Sequence, residues 1–200
     1  MRIRTFSTEE EWMKARLCKI GGSRLKDIIV LRGDSYKIGF YELLAERLAL
    51  PEEPENPMDR GKRLEEVAME RFMQDTGKKV NTDLIICERD DNPNIIVSPD
   101  GYIGETEMVE IKCLSSARHL ETYLKQTIPS DYYMQVVQYF VVNEKLKNLY
   151  FVMYDPRIPA KDYFYLTITR DFVADDVEKY LEYEKMVLKE IDEIAVKLTF

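Results

Sequence analysis

Two carboxylates and an amine stand in apolar stretches of this sequence, where charged side chains are rare. Asp100 ends one apolar run, and Glu110 and Lys112 lie inside the next, residues 108–113. Side chains on a strand alternate between its two faces, so Glu110 and Lys112 share one face of the predicted strand. Because an unpaired buried charge is costly, these groups must pair with one another, with water or with a metal ion.

Two carboxylates that converge with one amine are typical of a Mg²⁺ site. Mg²⁺ takes one or two carboxylates and fills its other octahedral positions with water and substrate phosphate oxygens. Lys112 could then orient or deprotonate an attacking water, or stabilise charge that develops on a phosphate. This chemistry is phosphodiester hydrolysis. The same spacing also fits a β-hairpin with Asp100 in its turn and with Glu110 and Lys112 as a solvated pair.

Two predicted helices carry polar side chains that could complete such a site. Residues 59–76 have an apolar helical stripe, which Glu65 borders while Glu66 lies on the opposite, solvent side. Glu65 is therefore either an acid that reaches an interior site or a charge at the helix rim. Residues 131–142 are apolar nearly all round, which predicts a buried helix. Its Gln135 and Gln138 need partners, which could be Lys112, a carboxylate, the attacking water or a backbone group.

A turn near the N-terminus offers a candidate anion site. Gly21-Gly22-Ser23 separates predicted helices over residues 9–16 and 24–31, the first with Ser7 or Thr8 as its cap. Backbone N–H groups at a turn entering a helix can bind an anion, and Arg16 and Ser23 could add a guanidinium fork and a hydroxyl. An ordinary connection between two helices, with Ser23 as the N-cap, explains the same pattern.

Length and composition predict one soluble globular domain. The chain has 200 residues, of which 45% are hydrophobic and 33% charged. It has no run of about 18 apolar residues and no apolar signal-peptide core, so we expect no membrane helix and a cytoplasmic location. The widely spaced Cys18, Cys87 and Cys113 argue against a disulfide framework, a zinc site and an iron–sulfur cluster.

The charge distribution bears on binding to nucleic acid. The net charge is −8, whereas affinity for a phosphate backbone comes mainly from Lys and Arg. Residues 12–32 carry a local net charge of +5, and residues 171–200 carry −5. A nucleic-acid partner would therefore have to meet a localised basic patch.

The remaining pattern predicts a mixed α/β (α+β) fold in a single domain over residues 1–200. We expect N-terminal helices within residues 8–76, including one over 36–48, and a sheet core over 79–170. Strands are predicted at 79–88, 95–98 and 108–113, forming one mostly antiparallel sheet, and at 148–153 and 163–169. Apolar residues at helical spacing predict a long C-terminal helix over residues 171–198 that covers one face of this sheet.

Several motifs occur in an order that spans about residues 10–170. They are Ser98-Pro99-Asp100-Gly101, Val109-Glu110-Ile111-Lys112-Cys113, Tyr132-Tyr133-Met134-Gln135-Val136, residues 150–157, Gly61-Lys62-Arg63-Leu64-Glu65, and residues 12–16 with 20–23. Together they resemble the PD-(D/E)xK nuclease superfamily, in particular its lambda-exonuclease-like, YqaJ-type viral recombinase family. One departure is Val137, which stands where the family often has a second glutamine.

The resemblance assigns roles to individual residues. It implies that Asp100, Glu110 and the backbone carbonyl of Ile111 bind Mg²⁺, with Mn²⁺ able to substitute. Lys112 would position or activate water, and Glu65 and Gln135 would complete the site. The residues that would grip the 5′-phosphate of the degraded strand are Arg16 and Ser23. The implied fold is a restriction-endonuclease-like core, a central mixed β-sheet flanked by helices.

The resemblance also implies an activity and its partners. The activity is processive 5′→3′ digestion of one strand of linear double-stranded DNA during recombination. Members of the family form a ring-shaped trimer around DNA and pass the exposed 3′ strand to a single-strand annealing protein. Other nucleases of the superfamily, RecB-like enzymes or endonucleases, and a non-catalytic DNA-end-binding module are the alternatives.

Overall fold

The computed structural model describes residues 35–50 and 57–198, together with residues 8, 11, 14 and 27. Helices and strands alternate along the chain. The helices are α1 (Ile38–Leu48), α2 (Pro57–Thr76), α3 (Ser116–Lys125), α4 (Ser130–Val142) and α5 (Arg170–Leu198). The strands are β1 (Cys87–Arg89), β2 (Asn92–Val97), β3 (Gly101–Ile103), β4 (Glu107–Lys112), β5 (Asn148–Tyr154) and β6 (Tyr163–Thr169).

The central sheet has four strands in the order β3-β4-β5-β6. Strands β4 and β5 are parallel, and the two outer pairs are antiparallel. The parallel pairing follows from the connection between β4 and β5, because it carries α3 and α4 and so returns the chain to the same end of the sheet. The expectation of a mixed sheet flanked by helices is confirmed.

The predicted arrangement of the first strands was wrong. Strands β1 and β2 form a separate antiparallel hairpin, not part of a sheet with β4. Of the predicted strand over residues 79–88, only Cys87 and Glu88 lie in β1, and Asn81 forms an isolated bridge with Tyr102. The short β3, which we did not predict, occupies the edge of β4 that this segment would have needed for pairing.

Alternation along β5 divides the core into two layers. Leu149, Phe151 and Met153 pack into the core on the side of α4 and α5, together with Val136, Phe140 and Val173. Tyr150, Val152 and Tyr154 pack on the other side against α2, where they meet Leu64, Ala68 and Phe72. The central sheet is therefore covered on both faces, which explains the almost uniformly apolar sequence of β5.

Helix α3 was not predicted. It begins after Ser115, whose hydroxyl accepts a hydrogen bond from the backbone N–H of Arg118 at 3.4 Å. Its buried Ala117 and Leu120 pack with Tyr41 of α1 in a third, smaller core. The crossover thus contains α3 in addition to the predicted α4, and α3 follows the end of β4 that carries Lys112.

Other expectations have mixed outcomes. The backbone N–H of Glu11 donates to Thr8 Oγ1 at 3.2 Å, as expected if Thr8 caps a helix, but most of residues 9–16 and all of the predicted helix over 24–31 except residue 27 lie outside the described residues. In the described part of the chain, no helix is both long enough and apolar enough to span a membrane.

Candidate active site

Asp100 is docked on the edge of β4 just before β3 begins. Its backbone N–H donates to the carbonyl of Val109 at 3.1 Å, and its Oδ2 accepts from the backbone N–H of Ile111 at 2.6 Å. The neighbouring Gly101 makes this approach feasible, since a Cβ there would lie 2.4 Å from Val80 Cγ1 and 2.8 Å from Met69 Cε. The carboxylate is thus fixed beside the C-terminal half of β4.

Glu110 points to the opposite face of β4 from Val109 and Ile111, as the alternation predicted. It is only 2% exposed. Its Oε1 accepts from Gln135 Nε2 at 2.7 Å and pairs with Lys112 Nζ. Its Oε2 accepts from the hydroxyl of Tyr139. Three donors therefore stabilise this buried charge, as a buried carboxylate requires.

Lys112 lies beside Glu110 at the end of β4. Its Nζ is 5.0 Å from the centre of the Tyr132 ring, within range of a cation–π interaction. Its side chain is 20% exposed, so the amine is reachable from solvent. Residues 132, 135 and 139 are three and four positions apart, and they therefore lie on one face of α4. That face holds both Glu110 and Lys112.

An acidic cleft of about 600 Å³ opens next to Asp100 and Ile111. Glu65 is half-buried in its wall, as one of the two interpretations of this residue expected. Glu66 was expected on the opposite side of α2, and it is exposed, yet it also lines the cleft. The cleft is wider than one helical stripe, and its acidic lining comprises Glu65, Glu66, Glu70, Asp83 and Asp100.

The electrostatics of the cleft act mainly on Asp100. Burial and the nearby charge of Glu110 raise its pKa from 3.8 to about 7, with Glu65 adding to the rise. The hydrogen bond from Ile111 and the charge of Lys112 oppose it. The ionised form of Asp100 is thus only partly compensated by the surrounding groups.

The donor set fits a hard divalent cation. Within a strand, the N–H and C=O of one residue point toward the same neighbour, so the carbonyl of Ile111 lies on the side where its N–H meets Asp100. Asp100, Glu110 and this carbonyl offer only oxygen atoms, the ligands that Mg²⁺ prefers. In the described residues, no three acidic, histidine or cysteine side chains form a complete metal cage. A Mg²⁺ site needs only one or two carboxylates besides water and substrate oxygens.

A buried ion-pair cluster lies just beyond Lys112. Asp155 is fully buried at the end of β5 and accepts from Ser116 Oγ at 2.5 Å and from Arg157 Nε at 2.8 Å. Arg60 of α2 reaches both Asp155 and the carbonyl of Cys113, each at 3.5 Å. Burial alone would raise the pKa of Asp155, but the hydrogen bonds from Arg157 and Ser116 lower it. The cluster ties the end of β4 to α2 and α3.

The predicted site residues fall into two groups. In the first group, Asp100 contacts the backbone of Ile111, Glu110 contacts Lys112 and Gln135, and Glu65 lines the cleft beside Asp100. Gln135 supplies the amide of this group, whereas Gln138 Nε2 donates to the carbonyl of Ile96 at 3.5 Å. The two expected phosphate-binding residues, Arg16 and Ser23, lie outside the described residues.

Two contacts in this site were missed from the sequence. They are those of Tyr139 with Glu110 and of Tyr132 with Lys112. A tyrosine inside a helix predicted to be buried needs a partner for its hydroxyl, and Tyr139 lies one turn beyond Gln135. That spacing was the available signal.

Known proteins share sequence and fold features with this chain. The family model described as a YqaJ-like viral recombinase domain matches residues 11–145. The chain is also similar to the crystal structure of an alkaline exonuclease, LHK-Exo, from Laribacter hongkongensis. The two are 28% identical, the TM-score is 0.58, and the match covers 94% of this chain and 99% of the other.

A second similar structure is LHK-Exo in complex with dAMP. It is 29% identical with a TM-score of 0.58, and the match again covers 94% of this chain and 99% of that one. A search of curated proteins finds no match. Because the family model spans more than half of the chain and the fold matches over nearly its whole length, the chain belongs to the YqaJ-like viral recombinase domain family, with a PD-(D/E)xK-type fold.

Proposed function

We propose that this protein is a Mg²⁺-dependent exonuclease that digests one strand of linear double-stranded DNA from 5′ to 3′, during recombination by single-strand annealing. The observation that carries the proposal is the grouping of Asp100, bonded to the backbone of Ile111, with the paired Glu110 and Lys112 on β4, next to an acidic cleft. The similarity to an alkaline exonuclease, one of whose structures contains the deoxynucleotide dAMP, supports DNA as the substrate.

The residues of the candidate site divide into metal ligands and groups that act on water or phosphate. Asp100, Glu110 and the carbonyl of Ile111 would hold Mg²⁺, or Mn²⁺ in its place. The bound ion supplies Lewis-acid polarisation of the phosphate and lowers the pKa of a coordinated water. Burial and the neighbouring carboxylates raise the pKa of Asp100 to about 7, and a divalent cation would offset the repulsion among these carboxylates.

Lys112 is the residue that acts on the reaction itself. Its amine lies beside Glu110 and is partly open to solvent. From there it orients the attacking water or stabilises negative charge that develops on the phosphate. Gln135 holds Glu110 and Lys112 in one arrangement by its bond to the same Glu110 oxygen, and Glu65 completes the acidic wall.

Recognition of the DNA end and assembly complete the proposal. Arg16 and Ser23 would grip the 5′-phosphate of the strand to be digested. A ring-shaped homotrimer around DNA would account for processive digestion, and a single-strand annealing protein would receive the remaining 3′ strand. The protein would work in the cytoplasm of a bacterium or of a phage-infected host.

The test uses duplex DNA with labels that report polarity. Linear duplexes labelled at either the 5′ or the 3′ end of one strand are incubated with the protein in Mg²⁺, beside closed circular DNA and a sample with EDTA. We expect early release of the 5′ label as mononucleotide, intact circles and no digestion in EDTA.

Each alternative has its own outcome in this assay. Cutting of closed circles would support an endonuclease, and early release of the 3′ label would reverse the polarity. Undiminished digestion after complete removal of divalent metal would overturn the metal-dependent mechanism. Tight binding to ends without cleavage in either Mg²⁺ or Mn²⁺ would support the non-catalytic module.

A further inference from the structure

The hydroxyl of Tyr139 touches the two segments that carry the acidic groups of the site. It donates to Glu110 Oε2, and it lies 3.2 Å from the backbone carbonyl of Ser98, two residues before Asp100. The side chain is fully buried in the middle of α4.

The two oxygens of Glu110 have different surroundings. Oε2 faces Tyr139, which no solvent reaches. Oε1 faces Lys112, whose side chain is 20% exposed, and Gln135, which is exposed. The carboxylate is thus oriented with one oxygen inward and the other toward the open side of the site.

We infer that Tyr139 is a positioning residue that holds Oε2 of Glu110 inward and thereby sets the orientation in which this carboxylate meets Lys112, Gln135 and the metal ion. A phenol has a single proton to donate, and an ionised carboxylate is a stronger acceptor than a carbonyl, so the bond to Glu110 dominates. The contact with Ser98 limits how far the Asp100 segment can move from Glu110. The inference rests on the proposed function for its metal ion and deepens it.

A purely structural role for Tyr139 makes different predictions. In that case, loss of the hydroxyl lowers stability but leaves metal affinity and turnover alone. The chain contains a matched control in Tyr133, also on α4, whose hydroxyl donates to Asp176 Oδ2 at 2.6 Å. Tyr133→Phe removes the same kind of bond on the side of the helix that faces α5.

The first experiment compares Tyr139→Phe with Tyr133→Phe in a metal titration without DNA. Mn²⁺ is added to metal-free protein, and the rise in melting temperature gives the apparent affinity. Loss of a group that orients a metal ligand typically weakens metal affinity about 10- to 100-fold, which we expect for Tyr139→Phe and not for the control. With DNA and saturating Mg²⁺, we expect kcat of Tyr139→Phe to fall about 10-fold with KM nearly unchanged.

A second measurement keeps the inference testable if Tyr139→Phe is poorly folded. Unfolding in EDTA is compared for the wild type, Glu110→Gln, Tyr139→Phe and the double variant. A bond to a charged group is stronger than one to an amide. We therefore expect Tyr139→Phe to reduce the folding equilibrium constant at least about 5-fold more in the wild type than in the Glu110→Gln background.

The possible outcomes separate this inference from the proposed function. Equal effects of Tyr139→Phe in both backgrounds would show that the hydroxyl does not act through Glu110. Identical metal titrations of Tyr139→Phe and Tyr133→Phe would reduce Tyr139 to a structural role. A wild-type protein that cleaves no DNA would contradict the proposed function, while the unfolding comparison would still decide whether Tyr139 holds Glu110.

Discussion

Asp100 and Glu110 are two buried carboxylates that the protein supports to very different degrees. Glu110 has three donor groups around it, from Gln135, Tyr139 and Lys112. Asp100 accepts a hydrogen bond from the backbone N–H of Ile111, and the charges of Glu110 and Glu65 repel its ionised form. Without a cation, ionised Asp100 therefore destabilises the folded state.

Replacing Asp100 by Asn should stabilise the metal-free protein at alkaline pH. Because the folded-state pKa of Asp100 is raised from 3.8 to about 7, the folded state binds more protons than the unfolded state between these values. Its contribution to stability is present at low pH and is lost as pH rises through about 7. In EDTA at pH 8, we expect Asp100→Asn to gain on the order of 3 kcal/mol over the wild type, and much less at pH 5.

Denaturant unfolding in EDTA at several pH values measures this difference. Asp91→Asn is the control, because Asp91 is exposed and its bond from Lys185 lowers its pKa. That control should gain nothing at pH 8. If the difference in unfolding free energy between Asp100→Asn and the wild type did not change with pH, Asp100 would not have a raised pKa in the folded state.

The chemistry of the site was predictable from the sequence where it depends on local geometry. Glu110 and Lys112 share a face because strand side chains alternate, and this rule needs no tertiary information. The contact of Tyr139 with Glu110 was not predictable in the same way, because it joins residues 29 positions apart in the sequence. Whether these two side chains meet depends on how α4 lies across β4.

The packing of β3 against α2 sets the position of Asp100. Gly101 lies where the two elements meet, with Met69 of α2 and Val80 too close to admit a side chain without movement. A second glycine, Gly104, follows β3 and has a positive φ of 58°, with no atom crowding its Cβ position. The two glycines therefore serve packing and turn geometry separately.

Gly101→Ala should reduce cleavage, whereas Gly104→Ala should not. The new methyl at position 101 would displace Val80 or Met69, and Asp100 would move with the backbone. Overpacking costs about 1–3 kcal/mol, and a left-handed alanine costs about 1–2 kcal/mol, so both variants should lose similar stability. Only Gly101→Ala should lower kcat, by about 10-fold or more, since misplacement of a reacting group by about 1 Å can cost up to 100-fold.

Rates on linear duplex DNA, measured beside melting temperatures, check this expectation. Equal rates for the two variants would mean that the position of Asp100 does not depend on the contact of Gly101 with α2. Adding more Mg²⁺ should only partly restore Gly101→Ala, because the ligand is misplaced relative to the substrate as well.

Helices and strands with a strong apolar period were predicted, and those defined by their neighbours were not. The helices over 36–48 and 59–76 and the C-terminal helix are present as α1, α2 and α5. The three-residue β3 has too few positions for a pattern, and it exists because Gly101–Ile103 pairs with β4. Whether residues 79–88 form a strand was decided by that competition for the edge of β4.

The chain as a whole is acidic, and its cleft is acidic too. The net charge is −8, and the cleft adds carboxylates from α2 and the loop before β1. Phosphate backbones are attracted by Lys and Arg, so a protein of this charge needs local positive groups to hold DNA. The sequence concentrates them in residues 12–32, with a net charge of +5.

Arg16 should determine the preference for phosphorylated 5′ ends. With Arg16→Ala, we expect the rate on 5′-phosphorylated duplexes to fall to that on 5′-hydroxyl duplexes, while the rate on the latter stays the same. A bond between charged groups contributes about 1.5–3 kcal/mol, which corresponds to about 10- to 100-fold. Ser23→Ala should act in the same direction but more weakly, because it removes a neutral donor.

Lys14→Ala is the matched control, since it removes a positive charge from the same segment. It should lower the rates on both kinds of ends equally and decrease the sensitivity to salt only slightly. An unchanged preference for phosphorylated ends in Arg16→Ala would remove Arg16 from the end-binding site without affecting the assignment of the cleft.

The decisive measurement compares Lys112→Ala with Lys78→Ala. Each removes a lysine that pairs with a glutamate of β4, because Lys78 Nζ lies 2.8 Å from Glu107 Oε2 at the other end of the strand. Cleavage of linear duplex DNA in Mg²⁺ and DNA binding are measured on the same samples. We predict that Lys112→Ala loses about 100- to 1,000-fold in cleavage and retains DNA binding, while Lys78→Ala keeps both. Equal cleavage by the two folded variants would contradict the assignment of Asp100, Glu110 and Lys112 as the hydrolytic site.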